Sequence, residues 1–173
     1  MQLTGILPVN KALGLRSTHC VEVVKHILGR GTRVGHGGTL DSTASGLLLI
    51  LLGSATRLSD FVMDMPKCYE TVVQFGSETD TDDAEGRVLC ERDFSFVSDA
   101  AIDSALCGFL GWRMQRPPRV SAVHVDGVRA HKLARRGEDV EIAPKPVYFA
   151  SIERLDRLDV NGRAAFRVRC RKG

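Results

Sequence analysis

The sequence predicts an α+β fold, in which helices flank a mixed, largely antiparallel sheet. Strand and helix patterns follow one another along the 173 residues without the regular β-α-β alternation that a parallel sheet requires. Asn161-Gly162 lies between two extended runs, which is a strong signal for an antiparallel hairpin. A chain of 173 residues suits one domain with a substantial core, and no linker divides it.

The N-terminal elements are predicted as a strand followed by a helix. The extended segment 5–10 leads into a helix over Ser17–Leu28. Ser17 or Thr18 can cap the start of this helix, and Gly29 ends it. Its apolar stripe consists of Val21, Val24 and Leu28.

The middle of the chain alternates between short strands and one short helix. Leu47–Leu52 is continuously apolar, as expected of a strand that is buried on both faces. A short helix is predicted around 55–62, and a strand over Tyr69–Gly76. After an acidic turn, Val88–Glu91 is predicted to return as another strand.

The next segment combines two predicted helices with one strand. Ser98 caps a helix that places Ile102, Leu106 and Phe109 on one face. Pro117-Pro118 then breaks the chain before the next strand. The further predictions are a strand over Val120–Val125, a turn at Asp126-Gly127 and a helix over Ala130–Arg136 that Gly137 ends.

The last strand alternates apolar and basic residues, which predicts one core face and one basic face. The apolar residues are Phe166, Val168 and Cys170, and the basic ones are Arg167, Arg169 and Arg171. Because the sequence stops just after this half-buried strand, we expect residues 1–173 to be an incomplete domain.

Composition indicates an ordinary soluble globular protein, with 43% hydrophobic and 26% charged residues. No apolar run has the length of a membrane span, and the N-terminus lacks the order of a signal peptide. The five cysteines are widely spaced and include no C-x-x-C pair, which favours a reducing compartment. We therefore predict a cytoplasmic protein.

Charge is segregated along a chain whose net charge is only +3. Basic residues concentrate in 113–136 and 163–172, and acidic residues in 78–85. Such basic stretches are typical of a nucleic-acid face. On charge alone, a solvated surface explains them equally well.

The glycine-rich stretch Arg33–Ser42 presents one imidazole, His36, and one carboxylate, Asp41, directly before an apolar strand. It matches neither a P-loop nor a dinucleotide-binding loop. The acidic turn 80–86 is a poor calcium loop, because Ala84 fills a ligand position. Taken alone, Asp41 is better explained as a cap for the turn or helix start that follows Leu40.

Several motifs in one order along the chain distinguish between these readings. They are Gly5-Ile6-Leu7 with Lys11 and Gly14, Val34-Gly35-His36-Gly37-Gly38-Thr39-Leu40-Asp41, Ala55-Thr56-Arg57, Lys67-Cys68-Tyr69, Thr79–Gly86, Pro117-Pro118, Ser121-Ala122, Asp126-Gly127, Leu133–Gly137 and Lys172-Gly173. Together they resemble the start of the catalytic domain in bacterial tRNA pseudouridine synthases of the TruB type, which modify uridine 55 in the T-loop.

The chain departs from the family pattern at several positions, none of which is the family nucleophile. Ala12 and Ser42 stand where the family usually has proline, and Val120 stands where a tyrosine is frequent. In the family, Lys-Gly is followed by Thr-Tyr-Ile-Arg, whose arginine pairs with the catalytic aspartate. Here Lys172-Gly173 ends the sequence.

The resemblance implies a pseudouridine synthase fold and an isomerase in which Asp41 is the catalytic nucleophile or general base. It further implies that Tyr69 stacks on the flipped uridine and that His36 enters the loop space beside it. Lys11 and Arg33 are predicted phosphate contacts, although a solvated surface position fits each as well. The expected partner is the tRNA T-stem-loop, bound by a monomer without cofactor, metal or membrane. The alternatives are a non-catalytic tRNA-binding or folding module and an inactive fragment that lacks the arginine.

Overall fold

A computed structural model describes residues 3–117 and 142–171, together with the backbone of two short strands at 124–125 and 128–129. The chain divides into two compact units, Met1–Met65 and Pro66–Gly173, which are described separately below. Several predictions lie outside the described residues. They are the helix Ala130–Arg136, most of the strand Val120–Val125, and the motifs that involve Pro118, Ser121-Ala122, Asp126-Gly127, Leu133–Gly137 and Lys172-Gly173.

The first unit is a three-stranded antiparallel sheet in the order β1-β3-β2, with one long helix and two short ones. Its elements are β1 (Gly5–Lys11), α1 (Ser17–Leu28), β2 (Val34–His36), β3 (Gly46–Leu52), a 3-10 helix (Gly53–Leu58) and α2 (Ser59–Asp64). The predicted first strand, long helix and apolar strand are confirmed. The glycine-rich stretch differs from the prediction in that its first residues form β2.

The core of this unit lies between α1 and one face of β3. Alternate β3 side chains, Leu48, Ile50 and Leu52, pack against Cys20 and Val21 of the helix. On the opposite face Leu51 is fully buried, but Leu47 is 67% exposed. The prediction of a strand buried on both faces is therefore wrong at its N-terminal end, where no second layer covers the sheet among the described residues.

The prediction for the C-terminal end of α1 is confirmed, and the prediction for its N-terminal end is wrong. Gly29 ends the helix at φ 71°, and its N–H donates to the Lys25 carbonyl. The N-cap, however, is Arg16, and no side chain caps the helix. Ser17 is the first helical residue, and its hydroxyl is engaged elsewhere. Thr18 follows inside the helix.

The second unit contains a four-stranded antiparallel sheet in the order β4-β11-β10-β7, with two small two-stranded ladders, β5-β6 and β8-β9. Its elements are β4 (Lys67–Gln74), β5 (Ser77–Thr79), β6 (Val88–Glu91), α3 (Asp99–Cys107), β7 (Gly111–Gln115), β8 (His124–Val125), β9 (Val128–Arg129), β10 (Lys145–Arg154) and β11 (Arg163–Cys170). Strands β5 and β7 were not predicted: β5 has three residues, and in β7 the alternation of Trp112 and Met114 with polar residues extends over only five.

Helix α3 covers one face of the large sheet, with a core of Ile102, Ala164 and Phe166. The predicted cap is confirmed, because Ser98 Oγ accepts a hydrogen bond from the Ala101 N–H at 3.2 Å. Phe109 lies beyond the helix end and is exposed, so the predicted apolar face is one residue too long.

The predicted hairpin is confirmed as the antiparallel pair β10 and β11, joined by residues 155–162. The alternation predicted for β11 also holds, since Phe166 is buried while Arg169 is exposed. The basic face is partly neutralised, however. Arg167 bonds Glu70 of β4 at 2.8 Å and lies 3.6 Å from Glu153 of β10.

Neither unit contains a candidate membrane span: no helix among the described residues is long and apolar enough to cross a bilayer.

Candidate active site

The loop between β2 and β3 carries Asp41, and its main chain is tied to the unit at several points. At its start, the Gly37 N–H donates to the Leu49 carbonyl of β3 at 2.8 Å. Past the aspartate, the Ser42 carbonyl accepts from the Gly14 N–H, also at 2.8 Å. Both bonds are made by the backbone, and they hold the path of the loop at these two points.

Ser17 bonds the residue directly before Asp41. Its hydroxyl donates to the Leu40 carbonyl and accepts from the Leu40 N–H, each at 2.9 Å. The Ser17 side chain is only 2% exposed, so water does not compete for these bonds. Leu40 also packs against the core formed by α1 and β3. The residue directly before Asp41 is thus held by both its backbone and its side chain.

Lys11 holds the far side of the loop. Its side chain is 0% exposed, and Nζ donates to the carbonyls of Leu15 at 2.8 Å, Ala44 at 2.5 Å and Ala12 at 3.2 Å. An ammonium group has three N–H donors, and all three are used. In this conformation Lys11 fastens the segment after β1 to the segment after Asp41, and its contact with a phosphate stays a prediction.

Two adjacent glycines let the loop leave β2 in the required direction. A Cβ atom on Gly37 would lie 2.3 Å from Cγ1 of Val62, far inside van der Waals contact. Gly38 has φ 145°, a conformation that side chains disfavour. The first glycine is needed for a close approach to α2 and the second for its backbone conformation.

The Asp41 side chain itself is exposed, and no hydrogen-bond or ion-pair partner of its carboxylate is found in the part of the chain that the structure describes. Its own carbonyl accepts from the Ala44 N–H at 3.1 Å, which closes a tight turn. Asp41 therefore combines a fixed backbone with a carboxylate that is open to an incoming molecule. This arrangement suits a nucleophile or general base, because such a group must reach the substrate from a defined position.

His36 lies at the end of β2, paired with Ile50 of β3. Strand alternation puts its side chain on the same face as Val34, which packs against the α1 core. Its Nδ1 is buried and has no hydrogen-bond partner among the described residues. Buried polar atoms are rarely left unsatisfied, so His36 is a candidate for a ligand contact.

Arg33 and Tyr69 are exposed side chains on hydrogen-bonded backbone. The Arg33 carbonyl accepts from the Gly53 N–H at 2.8 Å, and the side chain lies in solvent. Tyr69 belongs to the second unit, where it pairs with Val168 of β11. The first unit thus brings together Lys11, His36 and Asp41 around one loop, and Tyr69 lies on the sheet of the other unit.

The acidic turn bonds mainly to itself. Asp80 accepts from the Arg87 N–H at 2.8 Å and from Arg87 Nε at 3.0 Å, and the side-chain bond to Arg87 lowers the pKa of Asp80. Asp83 accepts from the Thr81 hydroxyl at 2.6 Å. Across residues 3–117 and 142–171, no three His, Cys, Asp or Glu side chains come together as a metal site.

Ser17 is the site residue that sequence reasoning missed. The pattern indicated a helix cap, since a serine before an apolar-periodic segment usually plays that role. Nothing local in the sequence distinguishes a capping serine from one that bonds a loop 23 residues away.

Comparison with known proteins places the chain in a family. Residues 25–173 match the model described as "TruB family pseudouridylate synthase (N terminal domain)". A tRNA pseudouridine synthase B of Ruegeria pomeroyi is 44% identical over 99% of this chain and 55% of its own length. A protein of the same name from Bradyrhizobium diazoefficiens is 44% identical over 98% of this chain and 48% of its own length. The chain spans about half the length of the curated relatives it matches.

Solved structures support the fold. A chain of a Cbf5-Nop10-Gar1 complex matches with a TM-score of 0.69 at 24% identity, over 99% of this chain and 40% of that chain. A chain of an H/ACA RNP bound to a substrate RNA containing 2′-deoxyuridine matches with a TM-score of 0.64 at 22% identity, over 98% and 38%. The α+β prediction is confirmed. With a family model that covers most of the sequence and relatives above 40% identity, the chain belongs to the TruB family of pseudouridylate synthases.

Proposed function

We propose that this chain carries the catalytic aspartate, Asp41, of a tRNA pseudouridine synthase that acts on uridine 55 in the T-loop. The observation that supports this most directly is the Asp41 loop, whose backbone is held on both sides of an exposed carboxylate that has no partner among the described residues. The names of the relatives supply the reaction class.

The reaction breaks the bond between C1′ of the sugar and N1 of uracil, and forms a bond between C1′ and C5. The C5 proton is lost and N1 gains a proton, so the product is an isomer of the substrate. The Asp41 carboxylate starts the reaction either by attack on the sugar or by removal of a sugar proton. Either route needs a carboxylate oxygen free to approach the nucleotide, and Asp41 has one.

The rigid loop contributes by placing this carboxylate before the substrate arrives. A catalytic group held near its reactive position avoids the entropic cost of ordering it during the reaction. Ser17 and Lys11 supply this restraint from residues 40 and 44, on either side of the aspartate. We therefore assign both as positioning residues.

The uridine must leave its stack to reach the carboxylate. In this proposal Tyr69, 43% exposed on β4, stacks on the flipped base. His36 contacts RNA from the start of the loop, through the ring whose Nδ1 lacks a partner among the described residues. Arg33 contacts a phosphate, because its guanidinium is exposed beside the loop.

Release of tritium from a T-stem-loop transcript with [5-³H]uridine at position 55 tests the proposal. Asp41→Asn removes the catalytic oxygen with little change in shape, and we expect release to stop. Asp64→Asn is the matched control, since Asp64 is an exposed aspartate at the end of α2 in the same unit. Wild-type release by Asp41→Asn would refute the assignment.

A second function is favoured by one observation: no cation pairs with the Asp41 carboxylate among the described residues. A chain in which that carboxylate stays unpaired could act as a non-catalytic tRNA-binding or folding module. Such a module would bind the transcript in a gel-shift assay and release no tritium at long times. Release that depends on Asp41 excludes this alternative.

A further inference from the structure

The face of the large sheet opposite α3 carries an aromatic and basic cluster that the proposed reaction does not use. Val147 of β10 is buried, so its neighbour Tyr148 projects from the opposite face. Trp112 of β7 lies directly across from Tyr148, with ring centroids 5.2 Å apart and planes tilted by 57°. The Arg171 guanidinium lies over the Tyr148 ring, 5.6 Å from its centroid. Trp112, Tyr148 and Arg171 are called the stacking patch below.

The backbone keeps the stacking patch together. The Arg171 N–H donates to the Tyr148 carbonyl at 3.0 Å, just beyond the end of β11. The Trp112–Tyr148 pair lies within the antiparallel ladder between β7 and β10. The three side chains are therefore presented side by side without depending on a loop.

Charge on this face is balanced at one end and unbalanced at the other. Arg167 has carboxylate partners on both neighbouring strands, Glu70 and Glu153. Arg169 and Arg171 are exposed, and within residues 3–117 and 142–171 neither has a carboxylate partner. Two unneutralised guanidinium groups thus lie at the aromatic end of the face.

An exposed aromatic plane beside two arginines that have no carboxylate partner among the described residues matches the chemistry of single-stranded nucleic acids. Bases stack on aromatic side chains whatever their sequence, and guanidinium groups pair with the phosphates between them. Trp112 is 62% exposed, so much of its indole is available for such a contact. An apolar protein partner would leave both arginines without a counter-charge, which disfavours it.

We propose that the stacking patch binds an unpaired stretch of RNA, with one base against Trp112 and phosphates on Arg169 and Arg171. The choice of RNA over DNA rests on the proposed function, but the stacking and phosphate contacts do not. Binding here is distinct from the Asp41 chemistry and is measured without any isomerisation.

Trp112 makes the test direct, because it is the single tryptophan of the 173-residue chain. A short fluorescein-labelled oligouridylate is titrated with the full chain at low salt, and its anisotropy gives the dissociation constant. An unlabelled copy is titrated into the protein while tryptophan fluorescence is recorded. We expect quenching that saturates together with the anisotropy. A DNA oligonucleotide of matching length should bind comparably, since neither contact uses the 2′-hydroxyl.

Variants locate the contact. Trp112→Leu keeps an apolar side chain but removes the stacking plane, and should weaken binding about tenfold. Arg171→Ala should lower the slope of log affinity against log salt by about 0.7, the loss of one phosphate contact to a single strand. Arg157→Ala is the matched control, because this exposed arginine lies on the connection 155–162, and it should leave the quenching unchanged. Circular dichroism melts confirm that each variant is folded.

Three outcomes overturn the proposal. The first is unchanged tryptophan fluorescence while the anisotropy saturates, or no binding at all. The second is an equal loss of affinity for Arg171→Ala and Arg157→Ala, which would indicate diffuse charge attraction. The third is tryptophan emission that shifts with protein concentration and not with RNA, which would seat a second copy of the chain on the patch. Loss of tritium release with normal quenching would count against the Asp41 assignment alone.

Discussion

Removal of the Ser17 hydroxyl should shift the Asp41 carboxylate without altering the carboxylate itself. Ser17→Ala deletes both 2.9 Å bonds to Leu40 and leaves the Leu40 N–H and carbonyl without these partners. The helix should persist, because Arg16 is the N-cap and alanine suits a first helical position. A buried polar group that loses its partner costs about 1–3 kcal/mol, so unfolding free energy should fall by about that amount.

The effect on catalysis should exceed the effect on RNA binding. If the loop shifts by about 1 Å, a misplaced catalytic group costs up to about 100-fold in rate. We expect kcat for tritium release to fall by about 10- to 100-fold while KM changes little, because no proposed RNA contact is removed. Urea denaturation gives the stability change, and hydrogen exchange should show a faster Leu40 amide.

Two controls make the Ser17 reasoning refutable. Thr18→Ala removes a hydroxyl from the exposed next residue of the same helix and should leave kcat and Leu40 exchange unchanged. Ser17→Thr retains the hydroxyl and should restore part of the rate. Wild-type Leu40 protection in Ser17→Ala would refute the restraint on the loop, and a wild-type kcat would refute the positioning role.

Three further predictions concern other parts of the structure. Lys11→Met leaves three carbonyls without their donor and should destabilise the chain by about 3 kcal/mol or more, without changing the salt dependence of RNA binding. Gly37→Ala should cost about 1–3 kcal/mol by overpacking against Val62, and thermal melting of the Val62→Ala double variant should recover part of it. The side-chain bond from Arg154 lowers the pKa of Asp103 below its ordinary value of 3.8. The stability that this ion pair supplies is therefore present above pH 3.8 and is lost as the pH falls further. Asp103→Asn should flatten the acid limb of a pH–stability curve.

Matched variants check each of these. Arg33→Ala should lower the salt dependence of RNA binding, in contrast to Lys11→Met. Gly5→Ala places a Cβ where nothing lies within 4 Å and should be tolerated. Arg154→Gln should flatten the acid limb as Asp103→Asn does, and an unaltered pH profile in both variants would contradict the assignment.

The part of the fold that was predictable depends on short-range patterns. The bounds of α1, its end at Gly29 and the Ser98 cap of α3 follow from periodicity and from capping preferences within a few residues. Strands β5 and β7 are short and have mixed composition. Their extended conformation therefore depends on pairing with β6 and β10 and cannot be predicted from their own residues. Leu47 was predicted as buried because an apolar run does not reveal which of its faces is covered.

The candidate site shows the same division. The glycine loop, Asp41 and His36 were found in the sequence because a family motif is a local string of residues. The Lys11–Ala44 and Ser17–Leu40 bonds were not found in the sequence, because their residues are 33 and 23 positions apart. The Trp112–Tyr148–Arg171 row likewise depends on the register of three strands.

The sequence by itself determined the family, the fold class and the carboxylate assigned to catalysis, because each depends on residue identity and on local order. Only the tertiary structure decided what holds that carboxylate in place. From the sequence alone, Lys11 is predicted to be an exposed cation and Ser17 a helix cap. Burial then removes both from water, and the nearest backbone carbonyls become their partners.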